Sequence, residues 1–455
     1  MKEFEKVFFC GVSNLEECEY LMNRNVGGVL LYPEIFEDPS EFLEAIHRIH
    51  GKNVLLSTDH EGGQMEIIPF VPPSPGNLLF GRLDPSYVEN YCATAGRIMK
   101  ALGMNMVFAP VLDLLFPETN PVIGYRSYGS DHRTVAEMGK AAIVGYRKAG
   151  IYSCAKHFPG HGRSRQDSHE DLSVVKVSLD ELEKDLYPFR VAIQSGVDSI
   201  MLSHVIYKAI DDRPASISEK IIKQLLREEL EYDGLVLSDA VEMKALAKKY
   251  SPPEVVTEFF NASGDMLILS DPSSLKVYSQ VLEDALYSGK LSRSSINQSI
   301  ERIDRLSKNV ESDIVSMFEA IQKAVVFNVS KSSCESVTLV LPDTALYTKA
   351  DVSSSYIPFI EAQAKRILGA RVIRFSQLDS VQRGEIVLDL IIDLTDEEID
   401  LHRKLSQRFK VVYVITRNPY LAEHFSDRDH VVTYSLAPVV MGLVFRRLSQ
   451  IFRRG

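Results

Sequence analysis

The chain has 455 residues, more than one hydrophobic core usually organises, so two domains are expected. Its 51 Lys and Arg against 62 Asp and Glu give a net charge of −11, which argues against nucleic acid or an anionic membrane as the main partner. The composition is otherwise that of an ordinary soluble globular protein.

The first residues, Met1-Lys2-Glu3-Phe4-Glu5-Lys6, carry charge without the apolar core of a signal peptide. No run approaches the roughly 18 apolar residues of a membrane span. Five scattered cysteines, with no Cys-x-x-Cys, read as small buried hydrophobes in a reducing cytoplasm. Tryptophan is absent, so stacking on a sugar or base falls to Tyr or Phe.

Short apolar runs then recur at residues 7–11, 28–32, 54–58, 106–111, 151–155, 199–203, 235–238 and 266–270. Between them, segments such as 41–49 and 135–143 carry apolar residues at three- and four-residue spacing. Strand and helix alternate, which predicts a parallel sheet with crossover helices. Eight such units over about 300 residues fit a (β/α)8 TIM-type barrel better than an open sheet. The first two units are the least regular and leave room for an incomplete or partly antiparallel barrel there. The barrel is expected over 1–308 and a connection over 309–331, with a polar helical stretch spanning 292–331. A smaller α/β domain is expected over 332–455, with strands at 337–341, 386–394, 411–415 and 431–434.

The residues just after the barrel strands are more telling. Asp59-His60-Glu61-Gly62-Gly63 comes after the third, Asp113 after the fourth, Lys156 and His157 after the fifth, His204 after the sixth and Asp239 after the seventh. Polar residues at the C-terminal ends of five successive strands would converge on one face, where barrel enzymes build their sites. The densest cluster is Lys156-His157-Phe158-Pro159-Gly160-His161-Gly162-Arg163-Ser164-Arg165-Gln166-Asp167-Ser168-His169, whose Pro-Gly-His-Gly reads as loop.

These residues suit glycoside hydrolysis with retention, which needs a nucleophile on one side of the anomeric carbon and a proton donor on the other. Asp239 has no adjacent Lys or Arg to neutralise it and is the candidate nucleophile. His169 is the candidate acid/base, because Asp167 two residues earlier would raise its pKa and fix its tautomer. Asp59, Arg126, Lys156, His157 and His204 would bind sugar hydroxyls and amides. The bland alternatives are a loop arginine for Arg126 and a helix N-cap for Asp239. A rival reading takes His157, His161, His169, His204 and Asp239 as ligands of a metallohydrolase. Against it, the first strand ends without a His-x-His pair, and Lys156 would repel a cation.

The motifs also carry a resemblance. Lys156-His157-Phe158-Pro159-Gly160-His161-Gly162, then Asp167-Ser168-His169 after four residues, is similar to the most specific motif of bacterial β-N-acetylhexosaminidases of glycoside hydrolase family 3. The same order holds for Asp59-x-Glu61-Gly62-Gly63, Asn120-Pro121-Val122-Ile123-Gly124-x-Arg126-Ser127-Tyr128-Gly129, Ser203-His204-Val205-Ile206-Tyr207, Pro214-Ala215-Ser216 and Tyr232-Asp233-Gly234-x-x-x-Ser238-Asp239. The resemblance runs from Met1 to about Lys308. Beyond it, Arg417-Asn418-Pro419-Tyr420 and Ala437-Pro438-Val439-Val440-Met441 resemble the α/β sandwich domain of two-domain members.

The resemblance implies a retaining enzyme with Asp239 as nucleophile, a His169–Asp167 acid/base dyad, and sugar contacts from Asp59, Arg126, Lys156, His157 and His204. It implies N-acetylglucosaminides as substrates, notably cell-wall muropeptide fragments, with no metal and no cofactor. Three departures bear on the substrate. Ile67 and Gln64 stand where arginines are common, Ala240 replaces a frequent second aspartate, and Arg163 replaces an acidic or small residue. Arg163 and Arg165 add positive charge that would suit phosphate or an anionic substrate group. β-Glucosidase, β-xylosidase and glycosyl phosphorylase activities therefore stay open, as does a non-catalytic sugar-binding relative.

Overall fold

The computed structural model describes residues 2–116, 122–164, 172–334, 336–343, 356–382, 384–392, 394–416, 419–433, 435 and 437–453. The chain divides into two units, Met1–Phe36 with Ala45–Ile314, and Glu37–Glu44 with Val315–Gly455.

The parallel sheet of the first unit has eight strands among the described residues: β1 (Phe8–Val12), β2 (Gly28–Leu31), β3 (Asn53–Ser57), β4 (Met106–Val107), β5 (Tyr152–Phe158), β6 (Ser199–Leu202), β7 (Leu235–Ala240) and β8 (Met266–Leu269). They pair in the order β3-β2-β1-β8-β7-β6-β5-β4. Every one of these pairings is parallel. The ring closes between its ends. The Asn105 N–H donates to the Leu56 carbonyl and the Phe108 N–H to the Thr58 carbonyl. The Asn105 side chain bridges the same gap, donating to the Val54 carbonyl at 2.9 Å and accepting from the Leu56 N–H at 2.8 Å. The (β/α)8 expectation holds. The first two units are neither incomplete nor antiparallel, since β1 pairs in parallel with both β2 and β8. Both faces of such a sheet are covered, which is why β1, β2, β6 and β8 are buried along their whole length and read as unbroken apolar runs.

Local signals set the crossover helices. Asp84 caps α1 (Pro85–Ala101), accepting from the Ser86 N–H, and Pro85 fits the first turn. Asp131 caps α2 (His132–Lys148) through the Thr134 N–H. Ser178 and Glu181 form a capping box on α3 (Leu179–Gln194). The expected continuous helix over 292–331 is instead broken. Helix Arg293–Leu306 is followed by Lys308–Asn309, which pair antiparallel with β3, and helix Val315–Ala324 comes after. The open edge of β3 provides ladder partners that a straight helix would leave unmet.

The main sheet of the second unit has six strands among the described residues: β9 (Val326–Asn328), β10 (Val337–Leu341), β11 (Arg371–Arg374), β12 (Ile386–Ile391), β13 (Lys410–Ile415) and β14 (His430–Val432), in the order β9-β14-β13-β12-β10-β11. Only β9 runs antiparallel. Helices α4 (Ile357–Leu368) and α6 (Pro438–Ile451) pack one face through Ile360, Ala364, Val444 and Phe445. Helix α5 (Asp396–Arg408) packs the other through Ile399 and Leu405. This is the expected α/β sandwich, with β9, β11 and α5 added.

Among the described residues no helix is long and apolar enough to cross a membrane. All five cysteines are free. Burial pushes the Cys18, Cys92 and Cys154 thiols up to about 12. Cys334, expected to be buried, is only partly so.

Candidate active site

A cavity of about 460 Å³ opens at the C-terminal ends of the barrel strands. Its wall includes Asp59, Arg126, Lys156, His157, His161 and Asp239, with apolar sides from Tyr32, Phe108, Met201 and Met243. Five expected site residues are therefore brought together from the ends of β3, β5 and β7 and from the connection after β4. Two irregularities in the sheet aim them. The β5–β6 register shifts between Lys156 and Phe158, and the β7–β8 register shifts between Leu237 and Ala240. A bulge redirects the side chains it displaces. Here the displaced positions include His157 and Asp239.

Lys156 is 2% exposed and lies 2.5 Å from Asp59 and 2.7 Å from Glu61. Burial opposes its charge, but the two carboxylates outweigh that and hold the ammonium above its ordinary value. Arg126 makes a two-pronged contact with Glu61, both bonds 2.8 Å. It is no plain loop arginine. Glu61 is fully buried, and burial alone would favour its neutral form. Lys156 and Arg126 reverse that and hold it well below the usual carboxylate range. From the sequence alone Glu61 has no positioning role of its own.

Asp113 plays the matching part for His157. The His157 Nδ1–H donates to its carboxylate at 2.7 Å, and the His161 N–H donates to the other oxygen at 2.5 Å. Although burial works against its charge, the imidazole and these bonds keep Asp113 below its ordinary value. This arrangement fixes one His157 tautomer and leaves Nε2 for the cavity. The loop that supplies His161 depends on two glycines. Gly160 sits at φ +128°, and a Cβ on Gly162 would lie 1.8 Å from the Leu114 carbonyl oxygen. Burial, with His157 nearby, pulls His161 down to about 4, so it is neutral at pH 7.

Asp239 is half-buried at the cavity wall within β7, and no helix begins beside it. The N-cap alternative is therefore overturned. Its Oδ1 accepts from the Ala240 N–H at 2.8 Å, and among the described residues no lysine or arginine pairs with it. Burial raises its pKa, but His157, His204 and that N–H bring it below the ordinary value, so it is ionised at neutral pH. His204 is set behind the wall rather than in it. Its Nε2–H donates to the Ala240 carbonyl at 3.0 Å and its Nδ1 accepts from the Ser216 hydroxyl at 2.7 Å. With both nitrogens engaged, His204 in this arrangement holds the backbone beside Asp239. Ser216, in the Pro-Ala-Ser motif, gives no sign of this in the sequence.

His169, Asp167 and Arg165 lie outside the described residues. The described residues on either side of them are held by hydrogen bonds. The Ser164 hydroxyl bonds the Ser173 hydroxyl, and the Tyr207 hydroxyl donates to the Gly160 carbonyl. Arg163 does not offer its charge to a ligand as expected. Its Nε donates to buried Asp185 at 2.7 Å, and its guanidinium lies 4.4 Å from the Phe116 ring centroid. Of the departures, Gln64 and Ala240 border the cavity and Ile67 does not. The described residues of the metal reading have partners within the protein. Both nitrogens of His204 and Nδ1 of His157 are taken, and no group of three or more His, Cys, Asp or Glu among the described residues could hold an ion.

The buried Lys156–Glu61–Arg126 cluster makes a stability prediction. Glu61→Gln leaves two buried cations short of a counter-charge and should cost about 3 kcal/mol at pH 7, the low end for such a loss because Asp59 still faces Lys156. Glu61 has a depressed folded pKa. Its contribution is therefore present above its unfolded value, near 4.3, and is lost as pH falls through the folded value. Denaturant unfolding at pH 7 and pH 3 should show the gap between wild type and variant narrowing in acid. A gap that widens would refute the assignment.

Comparisons with known proteins identify the family. The Glycosyl hydrolase family 3 N terminal domain matches residues 3–306, and the Beta-N-acetylglucosaminidase, C-terminal domain, matches residues 335–448. The fold is similar to zinc-bound CbsA from Thermotoga neapolitana, 36% identical with a TM-score of 0.90, over 98% of this chain and 99% of that one. It is similar to the beta-N-acetylglucosaminidase from Thermotoga maritima, 35% identical with a TM-score of 0.88, over 97% and 99%. Beta-hexosaminidase A of Pseudoalteromonas piscicida is 28% identical over 337 residues, 66% of this chain and 56% of that protein.

Proposed function

The chain belongs to glycosyl hydrolase family 3 and is a glycosidase, and from that premise we propose that it hydrolyses β-linked N-acetylglucosaminides with retention of configuration. The observation that carries this reading is an ionised aspartate, Asp239, free of any cationic partner among the described residues, at the wall of a cavity it shares with Asp59, Arg126, Lys156 and His157. The substrate class is supported by the matching C-terminal domain and by the Thermotoga maritima structure.

In this mechanism Asp239 attacks the anomeric carbon while His169 gives its proton to the departing glycosidic oxygen. The bond to the leaving group breaks as the bond to the carboxylate forms. Water then attacks the glycosyl ester, His169 takes the proton of that water, and Asp239 is released as carboxylate. Asp167 holds the imidazole. Asp59, Lys156, Arg126 and His157 bind the sugar hydroxyls. Asp59 is suited to this because its carboxylate stays 27% exposed while paired with Lys156. Muropeptide or chitin fragments are substrates that fit the proposal, and free cysteines accord with a reducing cytoplasm. The phosphorolysis alternative rested in part on Arg163, whose charge Asp185 already meets.

Two inversions at the anomeric carbon give the β-product first. Proton NMR of a β-glycoside digest should therefore show the β-anomer before mutarotation. The same digest with inorganic phosphate should contain no sugar phosphate. An α-anomer appearing first would overturn retention, and a sugar phosphate would overturn hydrolysis.

A further inference from the structure

We propose that a groove over the connections following β3 and β4 is a second sugar-binding platform, with Tyr125 as the surface on which a further ring of the substrate rests. The proposal deepens the glycosidase reading and depends on it. The groove encloses about 560 Å³ and is lined by Gln64, Pro75, Gly76, Leu79, Arg82 and Tyr125, among others. It adjoins the catalytic cavity, since Gln64 lines both. Tyr125 immediately precedes Arg126, whose guanidinium forms part of the cavity wall. With Gln64 shared by the two cavities and Tyr125 next to Arg126 in the chain, the occupant assigned to the groove is a second residue of the same chain of sugars.

The chemistry of the groove suits that occupant. Tyr125 is 72% exposed and Leu79 52%, which leaves two apolar surfaces facing solvent beside a polar site. A sugar ring has an apolar C–H face and a rim of hydroxyls. An aromatic ring meets the first, and donors such as the Arg82 guanidinium and the Gln64 amide meet the second. Arg82 has no ion pair among the described residues, so its donors are available. With no tryptophan in the chain, tyrosine is the natural stacking residue. Its exposure is not that of a loose loop, since both neighbours are fixed. Gly124–Arg126 form a 3₁₀ turn, Ile123 before it is fully buried, and Asn77 donates to the Arg126 carbonyl at 2.8 Å. Less conformational freedom is then lost when a ring is bound.

The test compares wild type, Tyr125→Ala and Tyr125→Phe on the β-1,4-linked trisaccharide of N-acetylglucosamine. Inhibition by the free monosaccharide, which fills the catalytic cavity alone, serves as control. Tyr125→Ala should raise KM for the trisaccharide roughly tenfold with little change in kcat. Tyr125→Phe should restore it, and the monosaccharide inhibition constant should stay within about twofold of wild type in both. The proposal is overturned if Tyr125→Ala leaves the trisaccharide KM unchanged, or if the monosaccharide constant rises in parallel. Should the wild-type enzyme act on no N-acetylglucosaminide, the substrate reading alone falls. Calorimetric binding of cellotriose, whose rings present the same apolar face, to wild type and Tyr125→Ala then decides: weaker binding to the variant supports the platform and equal binding overturns it.

Discussion

Asp239→Ala should retain less than about one thousandth of wild-type turnover, even on nitrophenyl glycosides whose leaving group needs no help. Covalent catalysis has no substitute for its nucleophile, and removing an interaction made only in the transition state lowers kcat and kcat/KM together. Among the described residues no other nearby carboxylate is free to take over. Glu61 is locked between Lys156 and Arg126, Asp113 is committed to His157, and Asp59 faces Lys156. Substituting Asp239 removes a partly exposed side chain and breaks no ion pair among the described residues, so the variant should fold. Adding azide should restore turnover, with the anion attacking through the vacated space to give the α-glycosyl azide. Residual activity well above one part in a thousand, or a β-azide, would remove Asp239 from the role.

His169→Ala should show a loss that depends on the leaving group. A sugar leaving group needs protonation, so hydrolysis of a disaccharide should fall by roughly 10²–10⁴-fold, the usual contribution of a general acid. A nitrophenolate departs without a proton, so the glycosylation step on a nitrophenyl glycoside should change little, while deglycosylation still slows for want of a base. Asp167→Ala should give a smaller loss of the same kind. It should also move the alkaline limb of kcat/KM to lower pH, because an imidazole without its carboxylate gives up its proton more easily. Pre-steady-state measurement of both variants on both substrates separates the steps. Equal losses at glycosylation on the two substrates would make His169 a binding residue and send the search for the acid back to His157 and His161.

Much of the barrel is readable from the chain because its strands are buried on both faces. Residues 28–31 and 266–269 are apolar throughout, and that pattern survives without knowledge of any partner. The broken connection after Leu306 is not readable in this way. Lys308 and Asn309 are polar residues in a helical context, and they become strand through the unpaired edge of β3, some 250 residues earlier in the chain. Edge strands β9 and β11 escape for a related reason. Arg371-Val372-Ile373-Arg374 is too short and too charged at its ends to stand out from a loop until β10 lies beside it.

The site divides in the same way. Which residue types stand at the strand ends is a local property, so Asp59, Lys156, His157 and Asp239 could be picked from the order of strands and motifs. Which of them pair is a property of the closed ring. Asp113 and His157 are 44 positions apart, and Glu61 and Arg126 are 65 apart. His204 reads as a ligand contact in the sequence, and only the fold shows the Ser216 hydroxyl on one ring nitrogen and the Ala240 carbonyl on the other. Arg163 reads as a free cation until Asp185 is buried against it. Residue order alone was enough for the alternation of strand and helix and for the polar residue types that gather at the strand ends. The neutralised charges, the fixed tautomers and the side chains that reach the cavity came with the folded barrel. Charge and hydrogen-bond energies depend on distance and burial, and neither exists until the ring has closed.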